Sequence, residues 1–228
     1  MLNRNIAIIP ARKRSVGLKH KNRLLFKNTA DFLDTLEWLD EVIVSTDDPI
    51  ICNYSLDRNY LIHNRSDTLA GPSVPIKAVF ESLVNEIPVG PNDFLWLFYL
   101  PILYKNKKDF DHSFELIMKG KINSLCSFIP AASHPFNCWK YDDQNKKLIQ
   151  YIPNDIFRRQ DLPPAWMLYH YICCFKTIEL PVLNNELINE NTYPLFLSKQ
   201  KADRLIEIDT PADYEKWLAI SKKESRGD

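Results

Sequence analysis

Between Ala11 and Arg23 the chain reads Ala-Arg-Lys-Arg-Ser-Val-Gly-Leu-Lys-His-Lys-Asn-Arg, with six formal positive charges and no acid. Such a segment can hold a phosphate chain: arginine forks onto phosphate oxygens, and lysine neutralises charge developing on a displaced pyrophosphate. A solvated basic loop is the plainer alternative. Towards the other end, Leu205-Ile206-Glu207-Ile208-Asp209-Thr210-Pro211 sets two carboxylates two residues apart. On a strand both face the same way, and paired hard oxygens suit Mg2+, which takes one or two carboxylates together with substrate phosphates and water. The competing reading makes Asp209 or Thr210 a helix cap and Glu207 a partner of Arg204, with Asp213 a first-turn dipole residue. A third segment, Arg158-Arg159-Gln160-Asp161-Leu162-Pro163-Pro164, is stiffened by proline. One of its adjacent arginines could clamp an anion; equally, the segment could be an interface arm.

The elements that must position these segments follow from periodicity. Ile6 to Pro10 is a continuous apolar run, as expected of a parallel strand buried on both faces. Further strands are expected at Glu41 to Thr46, Tyr60 to His63, Phe94 to Leu100 and Ile122 to Ile129, with helices at Asp31 to Asp40, Ser73 to Ile87 and Asp109 to Lys119. This alternation predicts an α/β sandwich with a mainly parallel sheet, in which ligands lie outside the carboxyl ends of the strands, where the basic loop leaves the first strand. The rhythm breaks after Ala131: Cys138 to Tyr141 and Lys146 to Tyr151 flank a polar tip and read as a hairpin on an inserted excursion. Beyond it a strand at Leu168 to Phe175, a helix near Leu183 to Asn189, strands at Tyr193 to Ser198 and Leu205 to Ile208, and a last helix opened by Pro211 are expected.

Composition narrows the choice of partners. Only 5 glycines occur against 15 prolines, which counts against a P-loop or a dinucleotide fingerprint. Lys plus Arg and Asp plus Glu both number 29, so no global field draws in nucleic acid or an anionic membrane, and neither is expected as a partner. Five cysteines, Cys52, Cys126, Cys138, Cys173 and Cys174, lack C-x-x-C spacing. An odd number without a secretory leader reads as reduced thiols, small buried hydrophobes in a cytoplasmic protein. No apolar run approaches the length of a membrane span.

Taken in order, several segments resemble the acylneuraminate cytidylyltransferase family, the enzymes that make CMP-activated sialic acids and related nonulosonic acids. The carriers are Ile6-Ala7-Ile8-Ile9-Pro10-Ala11-Arg12 with Ser15, Gly17, Lys21 and Asn22; Val42-Ile43-Val44-Ser45-Thr46-Asp47; Arg65 with Leu69-Ala70; Arg159-Gln160-Asp161-Leu162-Pro163; and Ile208-Asp209-Thr210. The resemblance implies a Rossmann-like nucleotidyltransferase core, a three-layer sandwich built from residues 1–130 and 172–228. It also implies a hairpin-bearing insertion, residues 131–171, that forms a domain-swapped homodimer. The implied reaction is attack of a sugar-acid hydroxyl on the α-phosphate of CTP, with Mg2+ and release of pyrophosphate. Carried over residue by residue, Arg12, Lys21 and Asp209 are catalytic, and Ala11, Arg12, Lys13, Arg14, Ser15, Lys21, Asn22 and Arg65 bind the nucleotide. Arg159, Gln160, Tyr169 and His170 fall at the acceptor, and Glu207 and Asp209 at the metal. His63 and His112 are expected to be structural.

The departures are specific. Arg14 and Val16 stand where the family loop has glycine and lysine, so one phosphate-binding lysine is missing, and Lys13 or Arg14 could substitute for it if the loop bends to bring it inward. Phe98-Tyr99-Leu100-Pro101-Ile102-Leu103 replaces a polar Gln-Pro-Thr-Ser-Pro-Leu-type segment, Tyr169-His170 replaces Asn-Gly, and Glu207 replaces aspartate. An altered acceptor pocket follows. The same departures motivate a second reading, a catalytically silent nucleotide-binding paralogue that acts as a binding or assembly partner.

Overall fold

The computed structural model describes residues 3–15 and 17–224; Val16, the substituted lysine position of the basic loop, lies outside the described residues. The strands β1 (Asn5–Pro10), β2 (Glu41–Thr46), β3 (Leu61–Asn64) and β4 (Phe94–Leu97) are parallel and stand in the order β3-β2-β1-β4. β5 (Ser124–Pro130), β8 (Trp166–Lys176) and β9 (Tyr193–Phe196) complete a seven-stranded sheet in the order β4-β8-β5-β9. Only β8 runs against its neighbours. Between β5 and β8 the chain leaves the sheet to form a separate hairpin, β6 (Trp139–Asp142) and β7 (Lys147–Gln150).

Successive residues of β1 go to opposite sides and build two cores. Ala7 and Ile9 face α1 (Lys21–Leu33) and α4 (Lys107–Lys119) through Leu25, Phe26, Leu33, Phe110 and Ile117. Ile6 and Ile8 face α3 (Ile76–Glu86) through Phe80 and Leu83. Burying a Leu, Ile or Phe side chain on either side contributes roughly 1.5–3 kcal/mol, which is why the strand is apolar from Ile6 onward. Helix starts follow local chemistry. Asp48 accepts from Ile50 N at 3.0 Å to cap α2 (Pro49–Leu56), and Asn106 accepts from Lys108 N at 3.0 Å to cap α4. The short α5 (Lys199–Ala202) and the longer α6 (Pro211–Glu224) close the chain.

Four expectations change. The first helix spans Lys21–Leu33 instead of 31–40, because Leu25, Phe26, Thr29, Ala30 and Leu33 share its buried face and residues 34–38 form turns. No helix covers 183–189; Pro181 interrupts the preceding 3-10 turn, Leu187 has φ 60°, and the Asn184 side chain accepts from Glu186 N and Ile188 N, diverting the backbone. Residues 205–208 do not form a strand. Glu207 makes an isolated bridge to Ile102, and Ile208 N donates to Pro101 O at 2.9 Å. The strand expected from Leu168 begins at Trp166 and continues to Lys176, straddling residue 171.

The excursion is apolar on its outside: Trp139, Tyr141, Leu148, Tyr151 and Ile152 are exposed, and Phe157 is 96% exposed. All five cysteines are free thiols, and among the described residues no helix is long and apolar enough to cross a membrane.

Candidate active site

At the carboxyl ends of β1 and β4, where the strand order reverses, a cleft of about 350 Å3 opens between the basic loop and the 207–209 segment. Its walls include Arg12, Ser15, Gly17, Lys21, Asn22, Arg65, Tyr99, Glu207 and Asp209.

The loop is held by its polar side chains, with little help from glycine. Ala11, fully buried, donates its N–H to Ser45 O at 2.8 Å, and its carbonyl accepts from Thr46 Oγ1. Asn22 Nδ2 donates to Arg12 O at 2.7 Å, Lys13 N donates to Asp47 Oδ1 at 2.6 Å, and Ser15 Oγ donates to Leu18 O at 2.6 Å. Gly17 is the exception. A Cβ there would sit 2.0 Å from the carbonyl oxygen of Asp209, so the absence of a side chain lets the loop touch the acidic segment. Lys21 Nζ then reaches Asp209 Oδ1 at 2.6 Å.

Charges in the cleft are incompletely matched. The protein around Glu207, and then neighbouring Asp209, push its carboxyl above the ordinary value, while Lys21 opposes the shift. Beneath it, Lys105 donates to Ile102 O and, at 3.1 Å, to Thr29 Oγ1, bracing the turn that bridges to Glu207; burial pushes that amine down to about 7. Arg65 is enclosed, which lowers its guanidinium to about 10, with Asp47 opposing and Arg12 adding to the effect. Its Nε donates to Ser45 Oγ at 2.9 Å, but one terminal nitrogen is buried with no acceptor. Ser45 Oγ in turn lies 2.7 Å from His63 Nδ1, and His63 Nε2 lies 3.1 Å from Ser82 Oγ on α3. Burial lowers the His63 pKa, with Glu86 at 3.4 Å opposing, and the ring braces Ser45 and through it Arg65 from behind.

The sequence-derived residues divide. Arg12, Ser15, Lys21, Asn22, Arg65, Glu207 and Asp209 line one cleft. Arg12 Nη1 donates to Gly71 O at 3.0 Å, and Arg14 joins Arg12, Asp47 and Asp67 along an adjoining groove. The Lys13 side chain is exposed, while Arg23 is taken by Asp48 at 2.6 Å. Tyr169 is close enough for Glu207 and Asp209 to reinforce the upward shift that burial imposes on its hydroxyl, which is itself buried without a partner. His170 lies behind Tyr99, edge-on at 5.5 Å, with Nε2 2.8 Å from Glu186 O. Arg159 and Gln160 sit on a turn of the excursion, where Arg159 lines a different groove with His134 and Pro163. Tyr99, Val74, Ile76 and Val79 add apolar surface to the same cleft, a feature that residue types along the chain do not announce. Only the apolar replacement at Phe98 to Leu103 hinted at it.

No family model and no curated protein matches the chain. Solved structures share its fold. A CMP:2-keto-3-deoxy-manno-octonic acid synthetase complexed with CTP superposes with a TM-score of 0.64 at 13% identity, over 97% of this chain and 100% of that one. A 4-diphosphocytidyl-2C-methyl-D-erythritol synthase from Anaerococcus prevotii DSM 20548 gives 0.61 at 13% identity, over 96% and 99%. A 2-C-methyl-D-erythritol 4-phosphate cytidylyltransferase from Francisella tularensis gives 0.59 at 15% identity, over 94% and 99%. The fold is therefore that of these nucleotidyltransferases, an α/β sandwich on a mostly parallel sheet.

Proposed function

We propose that the protein is a cytidylyltransferase that moves CMP from CTP to the hydroxyl of an acidic sugar-like acceptor, a nonulosonic acid or a relative, and releases pyrophosphate. The observation that carries this reading is the convergence of Arg12, Lys21 and Arg65 with Glu207 and Asp209 in one cleft at the strand-order reversal. The fold shared with a neighbour complexed with CTP supports the choice of nucleotide.

Phosphoryl transfer asks the protein for position and charge rather than a covalent nucleophile. Arg12 and the unpaired nitrogen of Arg65 offer donors for phosphate oxygens, and Lys21 stabilises charge growing on the departing pyrophosphate. Ser15 and Asn22 hold the loop in shape. Glu207 and Asp209 fit a hard divalent ion: two neighbouring carboxylates face one ammonium group, and Glu207 is left with excess negative charge around it. They would hold Mg2+, which supplies further neutralisation of the triphosphate. The exposed apolar hairpin suits a homodimer, through which Arg159 and Gln160 of one protomer would approach the acceptor side of its partner's cleft.

The test is pyrophosphate release from CTP and Mg2+ with a panel of sugar acids, paired with calorimetry. CTP binding that tightens with Mg2+ and is lost in Asp209→Ala is expected. Metal-independent binding without release from any acceptor would favour a nucleotide-binding partner instead, and no CTP binding at all would overturn both readings.

A further inference from the structure

A second cluster of side chains lies behind the cleft wall, on the other side of Tyr99. Cys126 and Cys173 face each other directly across β5 and β8. They are 0% and 1% exposed within the core that also holds Leu97 and Phe175. In a regular strand, His170 and Cys173 would point to opposite faces, being three residues apart. The register between β5 and β8 shifts just here, and Ser127 fills the irregularity, donating to Tyr169 O and accepting from Ile172 N at 3.0 Å. A bulge re-aims side chains, and this one brings His170 to the two thiols. One ligand atom from each of the three residues lies within 4.8 Å of the others.

We propose that Cys126, Cys173 and His170 form a binding site for a zinc ion. Tetrahedral zinc, with Zn–S about 2.3 Å and Zn–N about 2.0–2.1 Å, needs ligands somewhat closer than this upper limit, within reach of small side-chain rotations. The histidine is already oriented: an Nε2–H bond to Glu186 O fixes the tautomer whose Nδ1 keeps the lone pair, the way metal-binding imidazoles are held by a carbonyl on their far nitrogen. On binding, each thiol loses its proton to solvent, two S–Zn bonds and one N–Zn bond form, and no redox change occurs. Charge selects the ion. Two thiolates and a neutral imidazole cancel Zn2+, whereas Cu+ would leave a net negative charge in an apolar core, and Mg2+ or Ca2+ would find no hard oxygen among the three ligands. Three protein ligands leave a fourth position for an exogenous ligand. Because the His170 ring packs edge-on against Tyr99, the ion would stiffen the apolar wall of the cleft from behind. The site does not depend on the nucleotide reading, and either can fail alone.

The test uses the full chain purified under reducing conditions, stripped with a chelator and titrated with Co2+. One equivalent should give a thiolate-to-cobalt charge-transfer band that Zn2+ abolishes, and Zn2+ should raise the melting temperature. His170→Gln should weaken uptake at least tenfold, and the Cys126→Ser, Cys173→Ser double variant should lose the band. Should the double variant fail to fold, the His170→Gln result alone decides. No band with folded wild-type protein would overturn the site. So would a band unchanged in His170→Gln, or a Cys126–Cys173 disulfide found by mass spectrometry in protein that takes up no metal.

Discussion

The two ends of β1 carry two charged clusters built on opposite terms. At the amino end every guanidinium nitrogen of Arg4 has a partner: Nε and Nη2 reach Asp93 Oδ2 at 2.9 and 2.7 Å, Nη1 reaches Glu41 at 3.1 Å, and Nη2 also donates to Pro88 O. Asp93 additionally accepts from the N–H groups of Arg4 and Gly90. Burial alone would raise its pKa, but these bonds hold it below the usual carboxylate range. At the carboxyl end Arg65 keeps a buried nitrogen without an acceptor, and Glu207 is raised instead of lowered. A cluster whose polar atoms are all matched holds the fold together. One that leaves donors and charges over is incomplete until something binds.

The contrast can be broken most sharply at Asp209. Asp209→Ala should reduce pyrophosphate release by about 100-fold or more, with little change in melting temperature, since that side chain is 61% exposed. Arg4→Ala should do the reverse, leaving turnover intact but costing about 2 kcal/mol as Asp93 loses its charged partner and keeps only its two N–H bonds, read as a fall in melting temperature of roughly 4–8 °C. Arg65→Met should weaken CTP binding about tenfold or more, measured by calorimetry, while thermal stability holds or rises because an unsatisfied guanidinium is removed. Gly17→Ala tests the bridge between loop and acid: the clash at 2.0 Å should raise KM for CTP and lower kcat together while the circular dichroism spectrum stays native.

The smallest effect, and the most direct comparison, lies in pH dependence. Asp93 is lowered in the fold, so its stabilisation is present above the unfolded carboxylate pKa and is lost as pH falls through the folded value. Glu207 is raised, so it favours the fold below the unfolded pKa, and that contribution is lost as pH rises through the folded value. Melting curves from pH 3 to 7, the range about the ordinary carboxylate pKa values, should show Asp93→Asn flattening the acid side. Glu207→Gln should gain relative to wild type as pH rises. Shifts of the opposite sign would reverse the structural roles given to the two ends.

Much of this was legible in the sequence, for local reasons. The apolar β1, the cation-rich loop and the Glu207 and Asp209 pair announce themselves by residue type within a few positions, as does the hairpin with its polar tip. The sequence did not disclose what depends on distant partners. The antiparallel direction of β8 is set by its pairing with β4 and β5. The company of His170 is set by a bulge that Ser127 stabilises from another strand, which no spacing rule along β8 reveals. Tyr99 reads as core by composition and becomes a cleft wall because Glu207 arrives beside its turn from the far end of the chain.

The contact of Gly17 with Asp209 also has a temporal meaning. Every strand of the seven-stranded sheet lies before Leu205, so a growing chain can complete its sheet while the basic loop still lacks its acidic counterpart. During that interval the protein has a folded scaffold and a basic loop in which Arg23 is paired with Asp48 while Lys21 still lacks Asp209. The segment from Leu205 onward then brings Glu207 and Asp209 to the loop. Binding of inorganic triphosphate to a chain ending at Arg204, compared with the full chain, would show it as a loss of Mg2+ dependence.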